Sequence, residues 1–207
     1  MGIIRKDLLL AAACLLFQPS IWARPAIVVS PESKVWLEGN STLHAFSSTA
    51  TQIQAYARLS TSARINSQDF FDAVKDSDLQ AFEFSIPAAG LKSGKSGLDK
   101  NMMEALKAAK VPAITFRMTG YELSPSRDKG TFQIKASGTL SVAGQERDIL
   151  LNAVGKPREG GAEISGDQEL LMTDFGIKPP ALFLGTLKTD NKIIVRYRLK
   201  LALEEIK

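Results

Sequence analysis

The sequence predicts an all-β protein, an antiparallel barrel of about eight strands with one short helix. Three observations lead there. Apolar and polar residues alternate at period two over long stretches, the pattern of half-buried strands. Some stretches reach 12 residues, against a usual strand of about 5–6, and short turns join them. Only one strong helical segment is present, whereas parallel strands each need a crossover, usually a helix. Long strands of this kind coil strongly, and closing the sheet removes its exposed edges. With 207 residues, 44% hydrophobic and 23% charged, the chain has ordinary globular composition and length for one sizeable core. No linker, low-complexity tract or repeat marks a second domain.

Taken in order, residues 1–23 read as a secretory leader. Arg5 and Lys6 form a basic start, Leu8 to Phe17 an apolar run, and IWA (21–23) a small-residue end. The apolar run has ten residues, too short for a bilayer span of about 20. Cleavage after Ala23 leaves one domain, 24–207. A lipoprotein anchored at Cys14 is the rival reading, but Ala11 stands where a lipobox usually has Leu. Cleavage also removes Cys14, the only cysteine, so the exported chain has no disulfide and no thiolate. Periplasmic or secreted localisation follows.

In AFEFSIP (81–87), Phe82, Phe84 and Ile86 share one face. In AITFRMTGY (113–121), Ile114, Phe116 and Met118 do. TFQIKASGTLSV (131–142) aligns Phe132, Ile134, Ala136, Leu140 and Val142. AGQE (143–146) is a hairpin turn signal before RDILLNAVG (147–155). The last run, NKIIVRYRLKLAL (191–203), aligns Ile193, Val195, Tyr197, Leu199, Leu201 and Leu203, with Arg196, Arg198 and Lys200 opposite. That charged outer phase excludes an outer-membrane barrel, whose outer face is apolar. The helix is expected over 98–110, with Asp99 as N-cap, a stripe of Met102, Leu106 and Ala109, and Val111-Pro112 as the stop. A second helical turn is marked at SQDFFDAV (67–74).

Ala89 to Ser96 fits a loose phosphate-loop pattern between a strand and a helix. Such a loop works at the end of a parallel strand, with an apolar strand ending in Asp nearby. The antiparallel pattern and Thr173 inside LLMTD (170–174) argue against both, so no nucleotide is expected. Asp174–Gly176 spells the kinase metal-binding triplet, but His44, the only histidine, is followed by Ala45 and Phe46 and not by the rest of that signature. One histidine and no nucleophile elbow leave little for hydrolytic catalysis. No catalytic residue, metal site or cofactor is expected. The net charge of +4 comes without a basic run, so no nucleic-acid partner is expected.

GNSTLHAF (39–46), IPAAGLKSGKSGLDKNMMEAL (86–106), AAKVPAITF (108–116), GTLSVAGQERDILL (138–151) and TDFGI (173–177) occur in this order. Together they resemble the YceI-like family of extracytoplasmic lipid-binding proteins, over roughly Ser33 to Leu203. The resemblance implies a lipocalin-like barrel enclosing an isoprenoid or fatty chain. It also implies a short helix before the Pro-containing strand, and a strand position for the TDFGI segment. Where the family often has Arg-Asp at the helix start, this chain has Leu98-Asp99.

The expected protein therefore sequesters or carries a polyisoprenoid or similar amphiphile. Its pocket is expected to be lined by Phe82, Phe84, Ile86, Ile114, Phe116, Met118, Phe132, Ile134, Val195 and Tyr197, with His44 near a polar head at the mouth. Transient membrane contact is compatible with this reading, and the oligomeric state stays open. Two alternatives remain at this point, an interaction module with a filled barrel and an isoprenoid-modifying or hydrolytic enzyme.

Overall fold

In the computed structural model, residues 24–59, 70–77, 79–182 and 187–206 are described. The leader reading, residues 1–23, lies outside them. The strands are β1 (Arg24–Val29), β2 (Lys34–Ser41), β3 (Ala45–Ala50), β4 (Gln54–Leu59), β5 (Leu79–Pro87), β6 (Leu91–Lys92), β7 (Ala113–Pro125), β8 (Phe132–Val142), β9 (Gln145–Arg158), β10 (Gly161–Leu171), β11 (Ala181–Leu182) and β12 (Leu187–Ile206). Two helices interrupt them, α1 (Phe70–Ser77) and α2 (Ser96–Ala105). All pairings are antiparallel and belong to one curled sheet, in the order β4-β5-β7-β8-β9-β10-β12-β2-β3-β6. β1 continues beside the far half of β12, and β4 comes within 8 Å of β1, Cα to Cα. The sheet thus curls round one interior, as the alternation required. Among the described residues twelve strands stand where about eight were expected, because short pieces such as β6 and β11 pair at the rim.

Side chains of one phase point into the interior. Ile27, Val35, Ile86, Phe116, Val142, Leu199 and Leu201 are all buried. A bulge in β7 between Met118 and Gly120 shifts the phase. Ile114, Phe116 and Met118 face inward before it, and Tyr121 and Leu123 after it. One extra residue in a strand inverts the two faces beyond it. The outward phase of β12 is charged: Arg196 pairs with Glu38 at 3.0 Å, Arg198 with Glu163 at 3.8 Å, and Lys200 with Glu32.

The helices depart from expectation in detail. α2 starts at Ser96 and stops at Ala105, short of the expected 110. Its N-cap position is Lys95, not Asp99, with no side-chain cap. It ends in a reciprocal pair of bonds, Lys107 N–H to Glu104 carbonyl at 3.0 Å and Ala108 N–H to Met103 carbonyl at 2.9 Å. Lys107 takes the left-handed conformation there, φ 54°, the usual place of a glycine in this C-terminal motif. The turn therefore stops the helix before Val111-Pro112 acts. Leu106 is buried as expected, while Ala109 is exposed and Ala108 packs on the core instead. The second helical turn is realised as α1, an element additional to the one helix expected.

Four glycines on the inward phase lie beneath aromatic rings. A Cβ on Gly39 would meet Phe46, one on Gly138 Phe116, one on Gly155 Phe71, and one on Gly166 Tyr197, each first contact at 2.4 or 2.5 Å. Gly138 is the least forgiving, because its Cβ would also stand 2.5 Å from the Arg117 backbone oxygen. Overpacking of this kind costs about 1–3 kcal/mol. Gly138→Ala is therefore expected to lower the midpoint of chemical denaturation without changing its slope. An unchanged midpoint would show that the sheet absorbs the methyl.

Candidate functional site

The curled sheet encloses an apolar cavity of about 280 Å³. Five long strands build most of its wall. β5 contributes Phe82, Phe84 and Ile86; β7 Ile114, Phe116 and Met118; β8 Ile134, Ala136 and Leu140; β10 Ile164 and Leu170; β12 Ile193, Val195 and Tyr197. β2 adds Val35 and Leu37, and β9 adds Ile149 and Leu151. Phe70, Phe71 and Val74 of α1 close one end. Phe175 and Ile177, both buried, lie at the other.

Nine of the residues expected to line a pocket are on this wall: Phe82, Phe84, Ile86, Ile114, Phe116, Met118, Ile134, Val195 and Tyr197. Phe132 and His44 are not. Phe132 stacks on Phe71, ring centroids 4.4 Å apart and 28° between planes. Its cross-strand neighbour Gly155 leaves the space that the Phe71 ring occupies. Phe132 thus supports the α1 end from behind. His44 is exposed in the turn between β2 and β3, where its backbone N–H and carbonyl meet the Ser41 hydroxyl at 3.3 and 2.9 Å.

Sequence reasoning missed α1 as a wall element. The signal was present: Phe70, Phe71 and Val74 have helical spacing, and all three are buried. It missed β10 because Gly166 and Gln168 dilute the apolar phase of Ala162, Ile164 and Leu170. TDFGI is not a strand feature as the resemblance implied. Met172–Phe175 forms a 3-10 turn that ends on Gly176 with φ 64°, so Phe175 and Ile177 turn inward together.

The polar chemistry of the site is sparse. Tyr197 donates to the Asn152 carbonyl at 3.2 Å. Burial, reinforced by Asp167, pushes its phenol up to about 12. Among the described residues Gln168 is the one side-chain amide on the wall. Among the described residues no group of three His, Cys, Asp or Glu side chains is arranged to hold a metal.

The loop resembling a phosphate cradle is occupied by the chain itself. Asp99 accepts from the Ser93 N–H at 2.7 Å and the Ser93 hydroxyl at 2.5 Å. Those two bonds hold the Asp99 carboxyl below its ordinary value. A carboxylate thus stands beside the loop donors, and the loop joins two-residue β6 to α2 in an antiparallel sheet.

Residues 40–201 match the family model described as the YceI-like domain. The chain belongs to the YceI-like family. Solved structures agree with that assignment at the level of fold. BcnA of Burkholderia cenocepacia is 12% identical with a TM-score of 0.64, covering 84% of this YceI-like chain and 99% of its own. A polyisoprenoid binding domain from Saccharophagus degradans, implicated in plant cell wall breakdown, is 10% identical with a TM-score of 0.61, covering 88% and 99%. A YceI protein of Campylobacter jejuni is 20% identical with a TM-score of 0.50, covering 74% and 82%. No curated protein matches this YceI-like chain by sequence.

Two outcomes test the site. The Tyr197 phenol titrates higher folded than its ordinary value near 10, so the folded state favours the protonated form. The stability this contributes is complete below about pH 10 and is lost as pH rises toward 12. The stability difference between wild type and Tyr197→Phe should therefore shrink across that window in urea titrations. A difference that stays constant would place the phenol in water. Phe132→Trp enlarges a ring already stacked on Phe71, and should cost about 1–3 kcal/mol by denaturation. A Trp accepted without loss would mean that the α1 end is loosely packed.

Proposed function

We propose that this protein binds a long apolar chain, a polyisoprenoid or similar amphiphile, in the barrel interior, and sequesters or carries it outside the cytoplasm without changing it chemically. The observation that carries the reading is the cavity: about 280 Å³, bounded by carbon-rich side chains of one strand phase, with Tyr197 and Gln168 as its main polar features. Each buried CH₂ contributes about 0.8 kcal/mol, so a tail of modest length binds without a charged contact. The name of the Saccharophagus domain supports the same ligand class.

The cavity speaks against a filled barrel acting only as an interaction module. Against an enzyme stands the lack, among the described residues, of an acid–base pair on the wall, with His44 placed outside it. No nucleotide, nucleic acid, metal or cofactor enters this reading. The extracytoplasmic location rests on the leader pattern of residues 1–23, and no helix among the described residues is long and apolar enough to cross a membrane.

Mass spectrometry of lipids extracted from the purified exported protein should find a prenyl or fatty chain at near one per protein, on a polypeptide starting at Arg24. Met118 is on the wall and only partly buried. Met118→Trp should therefore reduce bound lipid while leaving the melting temperature of the stripped protein nearly unchanged. Protein that never carries lipid, together with a sharp fall in that melting temperature, would show a filled barrel.

A further inference from the structure

β9 and β10 pair from Arg158 opposite Gly161 to Ala153 opposite Gly166, and no further. Both strands continue: β9 stays paired with β8 down to Gln145, and β10 with β12 out to Leu171. The sheet therefore divides, leaving residues 145–152 and 167–171 facing each other across a seam without ladder bonds. At about 3.3 Å per residue, the β10 side of this seam is roughly 17 Å long.

The seam is framed at both ends. At one end the Tyr197 hydroxyl reaches over Gly166 to the Asn152 carbonyl. At the other end lies the 3-10 turn Met172–Phe175, with Gly176 beside Gln145. That turn is tied to β12 by Asn191, whose side chain accepts from the Thr173 N–H at 3.0 Å and donates to its hydroxyl at 2.8 Å. Inward residues of both strands, Ile149, Leu151, Gln168 and Leu170, belong to the cavity wall. On the outer rim Leu150 is 49% and Leu171 39% exposed, and Leu171 also touches the cavity. Apolar surface thus runs from the interior to solvent through this seam.

The rim carries an acidic excess. Glu146, Asp148, Asp167 and Glu169 are exposed along the two strands. Lys192 is taken up by Glu169 at 3.1 Å, and Arg147 stands at the edge. Gln168 donates its amide N–H to the Glu169 carbonyl at 3.0 Å, which leaves its own carbonyl oxygen to accept.

We propose that this seam is the portal by which the apolar chain enters and leaves, and that the ligand's polar end rests there as an uncharged alcohol, not a phosphate. The proposal builds on the carrier reading above. A phosphate carries about −1.5 to −2 charges at neutral pH, and the rim, with four carboxylates against Lys192 and Arg147, stays net negative and repels it. An alcohol meets no such repulsion and can donate to Gln168.

The test uses a dansyl-labelled prenol and single-cysteine variants in a Cys14→Ser background. Leu150→Cys, coupled to a maleimide-linked polymer, blocks the seam. Asp128→Cys, in the loop between β7 and β8 at the other end of the barrel, is the control. Loading and release should both slow about ten-fold at the Leu150 position with the equilibrium affinity kept, and neither should change at the control. Slowing at the control alone, or at neither, overturns the portal while leaving the carrier reading intact. Failure of the prenol to bind unlabelled protein overturns both. In competition, geranylgeraniol should displace the probe from wild type better than geranylgeranyl phosphate. Asp167→Asn with Glu169→Gln should improve the phosphate several-fold and leave the alcohol unchanged. A phosphate that competes as well as the alcohol in wild type overturns the assignment of the polar end.

Discussion

The interior depends on bare backbone beneath large rings. Long strands wrapped round a small circumference bring inward side chains into collision. Here the collisions are relieved at Gly39, Gly138, Gly155 and Gly166, where rings from Phe46, Phe116, Phe71 and Tyr197 lie against the strand itself. Glycine weakens a strand by its entropy and its missing side chain, and a ring across it restores the lost contact. A ring whose tip reaches into the space a glycine leaves takes less of the centre. The same arrangement that lets the sheet curl so tightly therefore leaves the volume in which a chain can lie.

The outside contributes little by comparison. The ion pairs along β12 and its neighbours are substantially exposed, and exposed pairs are worth about 0–1 kcal/mol. Their effect is directional: with Arg196, Arg198 and Lys200 paired outward, a slip of β12 by one residue would turn these charges into the apolar interior. The charged phase thus fixes the register that the apolar phase prefers.

Most of the fold was legible because alternation is a local signal that tertiary packing seldom overrules. Phe82, Phe84, Ile86, Ile114, Phe116 and Met118 stand on the wall where their phase placed them. The reading failed where one residue's role depends on a distant one. Phe132 has the right phase, but its ring meets Phe71 from a helix 61 positions earlier. Tyr121 and Leu123 have the wrong phase until the β7 bulge corrects it. Asp99 looks like a cap and instead binds Ser93, because helix α2 begins three residues before it. The sequence showed nothing of the division between β9 and β10, because where two strands stop pairing is a relation between distant segments and leaves no mark in either strand's own pattern.

β12 has 20 residues and pairs with β1, β2, β10 and β11. It is the stave that joins the first strands of the chain to the later ones. A nascent chain that has not yet released residue 187 holds its early strands without their partner and its interior open to water. Synthesis thus delivers the enclosing element after everything it encloses, and such non-local closure folds slowly. A chain of this topology stays threadable until β12 is made, and its cavity forms only where β12 arrives.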